Sequence, residues 1–396
     1  MSSIVKVAVV VGTRPEAIKL APLLRELGRR PGFEPLLIST GQHQEMLEQA
    51  LGAFGLRPDV DLRIMSRGQT LHDVTSRTLE RLRGALHEHR PAWVVVQGDT
   101  TTAFAAALAS FYDRIPVAHV EAGLRSGERY SPYPEEINRR LVDQLSHLLC
   151  APTEPSRQLL LREGFDPASV FCTGNTVVDA LLWARDIVRR NPPVLPAQVT
   201  ALRRIVLVTA HRRESFGATL EGMCRAMLRI VSAVPDAGIV YPVHLNPNVE
   251  GPVRRLLGDH PRIVLLEPAS YLQFVALMDR AHLVLTDSGG VQEEAPTFGK
   301  PLLVMRDVTE RPEGIDAGVA RLVGTREERI FEEAMRLLES PTAYAAMAGG
   351  QNPYGDGNAA RRIADLLENV PGAPSLGVVE PRDPARGEVG VPEIAP

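Results

Sequence analysis

The sequence predicts an α/β protein of two Rossmann-like, doubly wound domains with a cleft between them. Three observations carry that prediction. Short apolar, β-branched runs alternate with helical patterns along most of the chain, as in a parallel sheet with crossover helices. At 396 residues the chain is too long for one ordinary core. The alternation loosens at RDIVRRNPPVLPAQVTA, residues 185–201, where prolines mark a linker.

The elements follow in order. A first strand, Val5–Val11, turns at Gly12 into a helix over Pro15–Arg29, with Pro15 suited to the first helical position. Strands are expected at Glu34–Thr40, Trp93–Gln97, Pro116–Glu121, Leu148–Ala151 and Val170–Cys172. Helices are expected between them at Gln44–Phe54, Thr70–His89, Thr101–Phe111 and Pro134–Gln144. After the linker come strands at Arg204–Thr209, Ala237–Pro242, Ile263–Leu266, Leu283–Thr286 and Pro301–Met305. The division expected is a first domain over 1–182, a second over 200–356 and a closing helix over 357–370. Residues 371–396, rich in Pro, Gly and charge without apolar periodicity, read as a disordered tail.

Composition narrows the function. Hydrophobic residues make up 44% and charged residues 23%, the profile of a globular protein. A net charge of −4 over this length predicts neither nucleic-acid binding nor attraction to an anionic membrane. Cys150, Cys172 and Cys224 are odd in number, widely spaced and set among apolar residues, which predicts reduced core thiols. The apolar N-terminal run is short, is interrupted by Lys6 and leads into a helix rather than a cleavage site. The expected location is the cytoplasm.

Several segments carry chemistry. HVEAGLRSGERYSPYPEEINRR, residues 119–140, ends a strand on Glu121 and opens a helix on Glu135 and Glu136, with Arg139 on the face of Glu135. Carboxyl ends of parallel strands are where ligands bind. In GTRPEAIK, Arg14 and Lys19 lie near the positive end of a helix, where a phosphate would meet them. The G-x-G-x-x-G of nicotinamide binding is absent there, so oxidation of the substrate is not expected. TDSGGVQEEAP offers Asp287, Ser288, Gly289 and Gly290 as an anion cradle, with Glu294 placed for ribose hydroxyls and Arg306 and Arg311 nearby. His211 closes a strand before Arg212 and Arg213, and is open between a structural hydrogen-bonder and a pyrophosphate contact. Asp99 in QGDTTT is open between helix cap and catalyst. Asp59 and Asp61 superficially resemble a metal-binding D-x-D but lie in a proline-punctuated connection.

Taken together, GTRPEAIK, QGDTTT, HVEAGLRSG, PEEINRR, HRRESFG and DSGGVQEEAP…RDVTERPE resemble the non-hydrolysing UDP-N-acetylglucosamine 2-epimerase family, from Val5 to about Leu367. The resemblance implies a GT-B-like fold, a nucleotide sugar in the cleft, UDP-GlcNAc and UDP-ManNAc as substrates, no metal or nicotinamide cofactor, and a homodimer. It implies catalytic roles for Asp99, Glu121, Glu135 and His211, and substrate binding by Arg14, Lys19, Arg139, Phe274, Ser288, Gly289, Gly290, Glu294 and Arg311. Glu136 is left as a helix-dipole residue. Some relatives bind a second substrate molecule as activator. Gln42, His43, Gln69, Arg212 and His244 match that site, whereas Glu45 and Gly68 stand where those relatives have glutamine and arginine. The rival readings are a GT-B glycosyltransferase, a hydrolysing epimerase and a non-catalytic nucleotide-sugar sensor.

Overall fold

The structure is a computed structural model that describes residues 4–41, 44–66 and 68–369. Two parallel sheets organise it. The first holds β1 (Val5–Val11), β2 (Phe33–Ser39), β3 (Val60–Asp61), β4 (Trp93–Gln97), β5 (Val117–Val120), β6 (Leu148–Ala151) and β7 (Val170–Cys172), in the order 3-2-1-4-5-6-7. The second holds β8 (Arg204–Thr209), β9 (Ala237–Pro242), β10 (Ile263–Leu266), β11 (Ala281–Thr286), β12 (Leu302–Val304) and β13 (Ala320–Leu322), in the order 10-9-8-11-12-13.

The strands are almost wholly apolar because both faces are covered by helices. In β1, Val7, Val9 and Val11 pack with Leu20, Leu23 and Leu27 of the helix Arg14–Arg29. Ala8 and Val10 point the other way, into a core with Leu82 and Leu86 of Leu71–His89 and Ala103 of Thr101–Tyr112. Each large aliphatic side chain buried this way stabilises the fold by about 1.5–3 kcal/mol before chain entropy is counted.

Two differences from the sequence reading, a pair of extra short strands and an exposed cysteine, have local causes. β3 and β13 were not expected, being too short for a periodic signal, yet β2 and β12 supply ladder partners. Asp59 and Asp61 accept the amides of Leu37 and Arg63, which explains their carboxylates without a metal. Cys172 is exposed, unlike the buried Cys150 and Cys224, because β7 is an edge strand.

The helix Thr176–Arg190 continues through the start of the expected linker. The helix Ala359–Asn369 returns to the first sheet's side, where Ile363 and Leu367 join the core of Leu20 and Val177. Asp179 fixes that return by accepting the amides of Ala359 (3.3 Å) and Ala360 (2.9 Å). Residues 371–396, expected to form a tail, lie outside the described residues. Among the described residues no helix is long and apolar enough to cross a membrane.

Candidate active site

Strand order reverses between β1 and β4 in the first sheet and between β8 and β11 in the second, and ligands of open α/β sheets bind at such switch points. Gly12, Asp99 and Glu121 follow the ends of β1, β4 and β5; His211 and Asp287 follow the ends of β8 and β11.

The sugar-facing candidates lie on the first sheet. Glu121 is 8% exposed and has φ +72°, a left-handed backbone rarely adopted by a residue with a side chain. That turn leaves its carboxylate accepting from Lys19 Nζ (2.5 Å) and Gln97 Nε2 (2.7 Å). Lys19 also reaches Glu293 Oε2 at 3.5 Å. Burial would favour the neutral amine, but Glu121 and Glu293 outweigh it and hold Lys19 protonated. Asp99 pairs with Arg139 Nη2 at 2.5 Å, a contact between residues 40 apart in sequence. Asn138 Nδ2 donates to the Asp99 carbonyl at 3.0 Å, and the Thr100 hydroxyl donates to Glu16. Glu135 opens the helix Glu135–Leu145, and its Oε2 is buried with no partner among the described residues. A buried carboxylate oxygen left so is one a ligand would satisfy.

One expectation is corrected here and one is extended. The N-terminus of the helix Arg14–Arg29 is not an open phosphate cradle: the Gly12 and Thr13 amides both donate to Glu16 Oε2 at 2.7 Å. A carboxylate of the protein already occupies the dipole's positive end. Gly12 is needed for packing, since a Cβ there would fall 2.6 Å from the hydroxyls of Thr102 and Thr40. Glu136 lies in the first turn of its helix, as a dipole residue should, and does more than favour the dipole. Its side chain is fully buried, accepts from the Ser126 amide (2.9 Å) and Arg140 Nε (3.0 Å), and stands 3.5 Å from Arg139. Burial opposes its ionisation, but those donors hold the carboxyl below its ordinary range.

The second sheet supplies the other half. Asp287 is fully buried and accepts the amides of His211 (2.8 Å) and Arg212 (2.9 Å), tying the end of β8 to that of β11. Ser288 caps the helix Gly289–Glu294. A Cβ on Gly290 would meet nothing within 4 Å, and one on Gly289 would approach only Arg212 and Glu310, so the loop faces open space. The His211 ring stacks on His244 at 5.5 Å and is 42% exposed. Desolvation depresses its pKa, and Asp287 only partly offsets that. Arg311 pairs with Glu293, which also accepts from Asn175 Nδ2 at 3.1 Å. Burial and the neighbouring Glu293 push the Glu294 carboxyl up to about 7. Arg14 is half-buried and lies close enough to Glu294 to moderate that shift. Phe274 packs at the margin of the second core, on the helix Tyr271–Arg280.

Glu293 is the residue that sequence reasoning missed. It sits beside Glu294 in a six-residue helix, and consecutive helical positions point about 100° apart. Nothing in the letters shows that Glu293 turns inward to join Lys19 and Arg311. Among the candidates for a second site, Arg212 stands 3.6 Å from Glu310, beside Gly289, and His244 stacks on His211. Gln69 bonds within its own turn, to Ser66 and Met65. Gln42 and His43 lie outside the described residues. No three His, Cys, Asp or Glu side chains among the described residues converge as a metal site.

Comparison with known proteins agrees with this geometry. A family model described as UDP-N-acetylglucosamine 2-epimerase matches residues 25–368. The chain is 53% identical over 370 residues to the UDP-N-acetylglucosamine 2-epimerase of Escherichia coli K12, covering 92% of this chain and 98% of that protein. A crystal structure of the Neisseria meningitidis UDP-GlcNAc 2-epimerase bound to UDP-GlcNAc superposes with a TM-score of 0.82 at 44% identity, covering 92% of this chain and all of the other. That of the Methanocaldococcus jannaschii enzyme with UDP-GlcNAc and UDP gives a TM-score of 0.74 at 35% identity, covering 92% and 99%.

Proposed function

The chain belongs to the UDP-N-acetylglucosamine 2-epimerase family, and from that premise we propose that it interconverts UDP-GlcNAc and UDP-ManNAc by eliminating and re-adding UDP. The observation that carries the reading is the run of ion pairs Glu121–Lys19–Glu293–Arg311. It joins a carboxylate at the first sheet's strand ends to a cation paired with the helix that follows Ser288 in the second half.

The C2 proton of the sugar is not flanked by a carbonyl, so its direct removal is slow. Breaking the C1–O bond first creates oxocarbenium character, which nearby carboxylates stabilise and which acidifies C2. A base then takes the C2 proton, giving 2-acetamidoglucal and UDP. Protonation from the opposite face and return of UDP give the epimer. No step changes the oxidation state overall, so no nicotinamide is required.

Inversion needs acid/base groups on both faces of the ring, which suits Asp99, Glu121 and Glu135, with His211 at the end of β8 the fourth catalytic candidate. Arg14, Lys19 and Arg139 balance charge around the sugar and leaving group. Ser288, Gly289, Gly290 and Arg311 hold the pyrophosphate, Glu294 the ribose and Phe274 the nucleotide. In this reading residues 1–182 hold the sugar, 200–356 hold UDP, and 357–370 close the chain back on the first part. The protein works as a cytoplasmic homodimer, and Gln42, His43, Gln69, Arg212 and His244 are where a second substrate molecule would act.

The test is incubation of purified protein with UDP-GlcNAc in deuterated water, followed by NMR. UDP-ManNAc carrying deuterium at C2 is the expected product. Accumulation of free ManNAc and UDP would instead make it a hydrolase. No turnover without an added acceptor would make it a transferase or a sensor.

A further inference from the structure

We propose that His119 is a positioning residue that holds the Gly98 carbonyl, and with it the Asp99 turn, in place beside Glu121. The proposal rests on the reading of Asp99 and Glu121 as groups that work on the sugar.

His119 lies in β5, two residues before Glu121, and is fully buried. Its Nε2 is 2.8 Å from the Gly98 carbonyl oxygen and its Nδ1 is 2.7 Å from Asp143 Oδ1. A carbonyl only accepts, so Nε2 carries the hydrogen of that bond. Asp143 is fully buried too, and Arg125 Nη2 stands 2.7 Å from its Oδ2. Arg125 continues to Glu163, with Nε and Nη2 donating at 3.0 and 2.6 Å. The run Glu163–Arg125–Asp143–His119 leads from the exposed Glu163 to a single backbone oxygen through close contacts.

That oxygen belongs to the turn that carries Asp99. Gly98 has φ +70°, and its amide still makes a ladder bond to the Val120 carbonyl at 3.0 Å. The ring of His119 takes the Gly98 carbonyl where the strand gives way to the turn. Asn138 fixes the next carbonyl, and Arg139 the Asp99 side chain. Without the imidazole, the peptide just before Asp99 would lose its only side-chain tether in this set.

Two near-isosteric substitutions separate positioning from bulk stability. In His119→Gln the amide nitrogen reaches the place of Nε2, keeping the bond to Gly98 and giving up Asp143. In His119→Asn the amide nitrogen reaches the place of Nδ1, keeping Asp143 and giving up Gly98. A displacement of about 1 Å at a catalytic group costs on the order of 10²-fold in rate. The expected result is a kcat for His119→Asn reduced by about 10²-fold, with KM for UDP-GlcNAc and Kd for UDP unchanged, while His119→Gln stays within about threefold of wild type. Equal kcat losses in the two variants, or equal kcat with only a lowered Tm, would overturn the proposal. Histidine ¹⁵N NMR of the unsubstituted protein tests the arrangement without turnover or a folded variant. The Nε2 of His119 should show a slowly exchanging hydrogen, and a bare Nε2 there would sink the idea. Failure of wild-type epimerisation would strike the proposed function alone and leave that spectrum standing.

Discussion

The two halves of the cleft are built on opposite plans. On the first sheet, charge is matched against charge inside the protein: Asp99 on Arg139, Glu121 on Lys19 and Gln97. On the second, the Ser288 loop faces open space and His211 is 42% exposed. In the proposed reading the difference separates the half that must hold still from the half that admits and releases UDP, with His211 the one catalytic candidate on the exposed side. A group that moves protons gains most from a fixed surrounding, since little reorganises as the transition state forms. The half that receives a leaving group must also admit it and let it go.

The contrast is broken most directly at Glu121. Glu121→Gln keeps the shape and a hydrogen-bond acceptor for Lys19 but removes the base. Turnover should fall about 10²–10⁴-fold while UDP affinity, by calorimetry, stays near wild type. A parallel loss of UDP affinity would show that the first half grips the nucleotide as well.

The reverse pattern is expected at Arg311. Arg311→Met should weaken UDP binding about 10–100-fold, the range for loss of hydrogen bonds to a charged group. Unchanged UDP affinity in that variant would remove Arg311 from the nucleotide half.

The smallest effect sharpens the comparison through pH. Glu294, raised to about 7 in the fold from an ordinary 4.5, binds its proton more tightly folded than unfolded. Its neutral form therefore favours the fold below pH 4.5, and that contribution is lost as pH rises through about 7. Glu294→Gln, neutral throughout, should match the ligand-free wild type in Tm near pH 4.5 and exceed it by a few degrees at pH 8. Equal Tm values at both pH values would mean that Glu294 is not forced to ionise in a buried setting.

Much of this was legible in the sequence. Strands ending on Gln97-Gly98-Asp99, Val120-Glu121 and Thr286-Asp287 announce themselves as apolar runs that stop at a carboxylate, and parallel topology then sends those carboxylates to one edge. Pairings were not legible. Asp99 meets Arg139 across 40 residues and Glu293 meets Asn175 across 118, distances over which no periodicity carries information. Nor could composition show that Glu16 would take the amides of its own helix, or that Glu136 would turn inward toward Ser126. Glu136 was expected in the first turn of its helix, and it lies there. Which neighbour each glutamate satisfies was settled by the fold.

One feature reaches beyond catalysis. At φ +72°, Glu121 holds a backbone conformation that glycine or asparagine would adopt more cheaply, by about 1–2 kcal/mol for glycine. Glycine would relieve that strain but strip the buried Lys19 and Gln97 of their partner, and breaking a buried pair costs about 3–5 kcal/mol. The ion pair thus outweighs the turn, so a laboratory lineage evolved for temperature without a substrate present should keep glutamate at position 121.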